Sequence, residues 1–80
     1  MNITLFVTNR CAACDRVRRA VENMLNKRDG IKLHIEDIRK ERSKGIIIVP
    51  ALFIEDELYA YGDIDEGKFM ERVETLSLIN

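Results

Sequence analysis

Apolar positions along this chain alternate between two spacings, and the changes of spacing divide it into elements. Residues 3–7, Ile-Thr-Leu-Phe-Val, form a short apolar run of the kind a buried strand carries. From Cys11 onward Ala13, Val17, Ala20, Val21, Met24 and Leu25 recur three and four residues apart, which is one face of a helix. Polar residues 27–29 and then Gly30 end it. Ile31, Leu33 and Ile35 alternate with Lys32, His34 and Glu36, the signature of a strand covered on one face. Two strands joined through a helix are expected to lie parallel.

Residues 37–44 are polar and suit a short helix, stopped by Gly45. A second core-seeking run covers residues 46–54 and is interrupted by Pro50, the single proline. Leu52 and Ile54, then Leu58 and Tyr59, flank Glu55-Asp56-Glu57, where a hairpin turn is expected without the favoured Asn-Gly or Asp-Gly pair. After Gly62, either Asp63 or Asp65 caps a last helix whose buried stripe is Phe69, Met70, Val73 and Leu76. The predicted order is β-α-β-α-β-β-α in one α/β domain over residues 1–80, with no linker or repeat.

Composition narrows the function. A chain of 80 residues buries only about 60% of its extended surface, so it has one modest core and must carry function on its surface or at a helix end. A net charge of -1 and a pI of about 5.8 give no electrostatic case for nucleic acid or an anionic membrane as partner. The basic groups Arg16, Arg18, Arg19 and Arg39, Lys40, Arg42, Lys44 have acidic neighbours and read as solvated helix faces. The first residues lack the basic start and the apolar length of a leader, and no run approaches a membrane span. The expectation is a soluble, cytoplasmic monomer.

The chemistry lies in Cys11-Ala12-Ala13-Cys14, which holds both cysteines of the chain. Two thiols at this spacing meet within one helical turn and either cycle between dithiol and disulfide or grip a soft metal. In a reducing compartment such a pair is more often catalytic or metal-binding than a structural staple. So short a disulfide loop also contributes little chain-entropy stabilisation. If the helix starts at Cys11, its unpaired N–H groups and positive dipole end favour the thiolate, and Arg10 adds a cation. Such sites lower a cysteine pKa from about 8.5 into roughly the 3.5–7.5 range. Cys11 is therefore expected to attack, and Cys14, one turn into the helix and more covered, to resolve the mixed disulfide.

The pair after the first strand, the Val49-Pro50 step within Ile48-Val49-Pro50-Ala51-Leu52-Phe53-Ile54, and Gly62-Asp63 before the last helix together resemble the thioredoxin/glutaredoxin superfamily. The resemblance is to its smallest, glutaredoxin-like members and covers essentially the whole chain. It implies a four-stranded mixed sheet with the first strand central, a cis Val49-Pro50 bond, and a surface at Val49 and Pro50 on which an extended substrate lies. It also implies a disulfide-containing protein or small thiol as substrate, a reductase or glutathione as electron donor, and no resident cofactor or metal. Arg10, Gly62 and Asp63 are the further candidate binding residues.

Several positions depart from the family pattern. Arg10 stands where thioredoxins usually have an aromatic, and Ala12-Ala13 replace Gly-Pro. Leu5 stands where they place a buried carboxylate that assists the resolving thiol. Thr8 replaces the glutaredoxin lysine, and only Gly62 remains of the paired glycines before the last helix, although Asp63 or Asp65 could still hold an amino group.

A different function uses the same cysteines. Small Cu(I)-carrying domains also place CxxC between a first strand and a helix, and two thiolates suit that soft ion. Against it stand Asn9, where that family commonly has methionine, the Val49-Pro50 step, and a final helix where it ends in a strand. A zinc site would need four ligands, and His34, on an expected edge strand, is assigned no role.

Overall fold

The computed structural model describes residues 1–40 and 48–79. Strand β1 (Asn2–Val7) leads to helix α1 (Ala12–Leu25), strand β2 (Lys32–Asp37), a 3-10 turn (Ile38–Lys40), strands β3 (Ala51–Ile54) and β4 (Glu57–Tyr61), and helix α2 (Glu66–Ile79). The sheet order is β2-β1-β3-β4. Strand β1 pairs parallel to β2 and antiparallel to β3, and β3 pairs antiparallel to β4. The expected mixed sheet with a central first strand is present.

Each helix docks through its predicted stripe. Val17, Val21 and Leu25 of α1 and Phe69 and Val73 of α2 are buried against Ile3 and Leu5 of β1 and Leu52 and Ile54 of β3. Residues two apart on a strand share a face, so these four strand residues form the helix-bearing side of the sheet. Burying such side chains contributes about 1.5–3 kcal/mol each, making this cluster the main hold on the fold. Phe6, Ala51 and Phe53 point to the opposite face, with Ile38 and Val49 packed on them and the two phenylalanine rings edge to face at 5.5 Å. Strand β3 is consequently buried along its whole length. In β2 only alternate residues are covered, as befits an edge strand with one packed face.

The middle of the chain departs from its sequence reading. Asp37, assigned to the start of a helix, instead ends β2 opposite Val7. A 3-10 turn follows at Ile38–Lys40. The rest of that expected helix, Gly45, and the first residues of the 46–54 run lie outside the described residues.

The hairpin turn is shorter than predicted, because Glu57 already belongs to β4 and pairs with Ile54. Glu55 adopts φ 55°, a conformation easier for glycine. It is held there by Asn2: the Glu55 N–H donates to the Asn2 carbonyl at 2.7 Å and the Asn2 N–H to Glu55 Oε1 at 3.0 Å. A bulge opposite Leu52 and Phe53 leaves Tyr59 without a partner in the ladder. Its ring packs instead on Phe69, 5.5 Å away, with Arg72 over it.

Candidate active site

Beyond Val7 the chain must turn from a strand into a helix, and Arg10 makes that turn at φ 55°. Cys11 follows as the N-cap of α1, its backbone extended at φ -120° and ψ 102°. Its carbonyl accepts the Asp15 N–H at 3.1 Å, and its Sγ accepts the Cys14 N–H at 3.0 Å. A sulfur thus takes the capping place usually held by a serine or aspartate oxygen. Cys11 and Cys14 are joined in a disulfide with their Cα atoms 5.1 Å apart. Cys14 is only 2% exposed, whereas Cys11 is half-buried. Any group in solution therefore meets Cys11 first.

Strand register gathers the other candidate residues at the same end of the sheet. Ala51 pairs with Phe6 near the end of β1, and the cis Val49-Pro50 bond lies immediately before Ala51. Tyr61 pairs with Ala51 from the other side, and Gly62 follows it. The Gly62 N–H donates to the Pro50 carbonyl at 2.8 Å, and Gly62 needs its freedom because its φ is 71°. Pro50 is buried and Val49 is half-buried on the phenylalanine cluster.

Asp63 and Asp65 have separate tasks. Asp65 caps α2, its Oδ1 accepting the Lys68 N–H at 3.0 Å. Asp63 is gripped by Arg16 of α1, with Nε to Oδ1 at 3.2 Å and Nη2 to Oδ2 at 3.1 Å. That contact raises the Arg16 pKa further, chiefly through the side-chain hydrogen bond. An amino-holding role for Asp63 must therefore compete with this guanidinium.

Sequence reasoning missed Arg16, which it placed on a solvated helix face. The signal was weak, since the partner lies in a segment that only folding brings near. Arg18 does fit that reading and pairs along the helix with Glu22 at 3.5 Å. Asp37 was missed too. It accepts hydrogen bonds from the Arg39 side chain and backbone, which lower its pKa to about 2. Together with Arg10, Cys14, Asp15 and Arg18 it lines a cavity of about 250 Å³ beside the cysteine pair.

Comparison with known proteins agrees with this architecture. No curated protein matches the chain in sequence. Thioredoxin 1 from the thermophilic eubacterium Thermosipho africanus TCF52B superposes with a TM-score of 0.78 at 18% identity, covering 99% of this chain and 97% of that one. A mutant thioredoxin from Halobacterium salinarum NRC-1 gives 0.73 at 21% identity, covering 92% and 72%. Malassezia sympodialis thioredoxin gives 0.67 at 14% identity with the same coverage. These likenesses show the fold. The family model described as a thioredoxin domain matches residues 1–75, and the chain therefore belongs to the thioredoxin family.

Proposed function

We propose that the protein is a thiol-disulfide oxidoreductase in which Cys11 attacks a substrate disulfide and Cys14 resolves the product. The observation that carries this reading is the asymmetry of the pair. Cys11 caps a helix and its sulfur receives a backbone N–H at 3.0 Å, while Cys14 is 2% exposed. In the reduced protein the same N–H and the helix dipole favour a thiolate at Cys11 over one at Cys14.

The Cys11 thiolate attacks one sulfur of the substrate disulfide, releases the other as a thiolate and forms a mixed disulfide. The Cys14 thiol then loses its proton and attacks Cys11, closing the pair and freeing the reduced substrate. Val49 and Pro50 offer backbone beside the pair for an extended substrate, with Arg10, Gly62 and Asp63 around it. Substrates are disulfide-bearing proteins or small disulfides. Electrons return from a reductase or from glutathione, with no resident cofactor, and the protein works as a cytoplasmic monomer. Among the described residues no helix is long and apolar enough to cross a membrane.

A Cu(I) carrier would use the same two sulfurs, but such a domain ends in a strand, and here α2 occupies that part of the chain. The test is to incubate the Cys14→Ser protein with a disulfide-bearing protein. A covalent adduct on Cys11 that is lost on adding dithiothreitol is the expected result. Absence of any adduct, together with tight Cu(I) binding by the wild type, sinks the proposal.

A further inference from the structure

Resolution requires the Cys14 thiol to lose its proton, and Cys14 is almost fully enclosed. Leu5, on the central strand that α1 packs against, is at 0% exposure inside an apolar cluster. Among the described residues the core contains no buried polar or charged side chain at all. A proton leaving Cys14 inward would find no acceptor. A 250 Å³ cavity on the β2 side of α1, lined mostly by polar residues, reaches Cys14. A volume of that order holds several waters at about 30 Å³ each.

Two carboxylates stand in its wall, Asp15 and Asp37. Asp37 is committed to Arg39, which binds it through Nε, Nη2 and the backbone N–H. Among the described residues, the Asp15 carboxylate has no hydrogen bond or ion pair. Asp15 directly follows Cys14 on α1. The cationic groups facing the same cavity are Arg10 from the loop and Arg18 from α1, the latter shared with Glu22.

Building on the oxidoreductase reading, we propose that this cavity is the proton exit of the resolving cysteine and that Asp15 is its relay residue, receiving the Cys14 proton through water. The Cys14 S–H bond breaks and its proton passes by way of water to the Asp15 carboxylate. The thiolate attacks Cys11 Sγ, the Cys11–Cys14 bond forms and the Cys11–substrate bond breaks. Two electrons pass from the cysteine pair to the substrate, whose departing thiolate is protonated from solvent. Asp15 then returns its proton to the bulk through the open cavity. Arg10 and Arg18 keep the potential there favourable to the Cys14 thiolate. Asp37, neutralised by Arg39, is a wall and not a relay.

The two chemical steps separate in a stopped-flow single turnover of the reduced protein with a symmetrical chromogenic aromatic disulfide. Attack by Cys11 releases one coloured thiol, and resolution by Cys14 releases the second. Asp15→Asn is expected to slow the second phase about tenfold near neutral pH, less than the roughly 10²–10⁴-fold of a directly positioned general base because water intervenes. It leaves the first phase within about twofold, and the deficit closes at alkaline pH, where Cys14 ionises unaided. Asp15→Glu restores the second phase. The proposal is overturned if Asp15→Asn resolves as fast as wild type, if its deficit is equal at every pH, or if both phases slow together. A wild type that shows no first phase instead removes the oxidoreductase reading itself.

Discussion

The Arg16 guanidinium takes both carboxylate oxygens of Asp63, tying the first turns of α1 to the segment between β4 and α2 across 47 residues of chain. The pair is exposed, so it adds little to stability. Its effect is on what Asp63 can bind, since an incoming ammonium group must displace a planar fork that already satisfies the carboxylate.

Arg16→Gln should therefore leave the thermal midpoint close to wild type while freeing Asp63. The rate at which glutathione reduces the oxidised protein is expected to rise roughly tenfold, about the worth of one charge-assisted hydrogen bond. The double variant with Asp63→Asn should lose that gain. If Arg16→Gln and wild type react with glutathione equally, Asp63 takes no part in holding it.

Two glycines should respond oppositely to alanine. Gly62 has φ 71° with no atom near the place of a Cβ, so Gly62→Ala costs about 1–2 kcal/mol through backbone conformation alone. Gly67 lies in the first turn of α2 with an ordinary backbone, and a Cβ would meet only the Asp65 Oδ1, at 3.4 Å, an ordinary contact distance. Gly67→Ala is expected to stabilise by about 0.5–1 kcal/mol. Urea midpoints measure both, and a common sign for the two would refute the assignment.

Arg10 combines a left-handed backbone, φ 55°, with a positive charge next to Cys11. Arg10→Gly removes both, and Arg10→Ala removes only the charge. The glycine variant should be more stable than the alanine variant by about 1 kcal/mol. Both should need a higher pH than wild type for half-maximal alkylation of Cys11 by iodoacetamide, and by the same amount. Unchanged alkylation profiles would show that Arg10 does not act on the thiolate.

Asp37 gives the fold a defined acid response. Hydrogen bonds from the Arg39 side chain, then from its backbone, hold the carboxyl at about 2 against an ordinary 3.8. Because the folded value is the lower one, the stabilisation is complete above pH 3.8, declines as the pH falls, and is gone below about 2. The stability difference between wild type and Asp37→Asn should shrink across that window in urea titrations. A constant difference from about pH 5 down to about pH 2 would contradict the pairing.

The sequence by itself determined the elements that have a strong period and the chemistry that needs a fixed spacing. Val17, Val21 and Leu25 are buried at their helical spacing, as are Phe69 and Val73, because a helix can sink only one stripe into a single core. Cys11 and Cys14 meet because three residues of helix bring an N-cap side chain over the next turn.

Tertiary structure decided what depends on distant segments. Asp63 or Asp65 could each have capped α2; the helix begins at Glu66, so Asp65 is the cap, and packing placed Arg16 beside Asp63. Asp37 reads as polar and helical in isolation, yet five residue pairs before it already bind β2 to β1, and one more ladder step opposite Val7 holds it in the strand. Glu55 accepts a glycine-like conformation because Asn2, far away in the chain, supplies two hydrogen bonds. Local propensities differ by only about 1 kcal/mol per residue, and contacts between remote parts of the chain easily exceed that. The asymmetry of the two cysteines belongs to both levels: spacing joined them, and only the packing of α1 on the sheet enclosed one and left the other within reach.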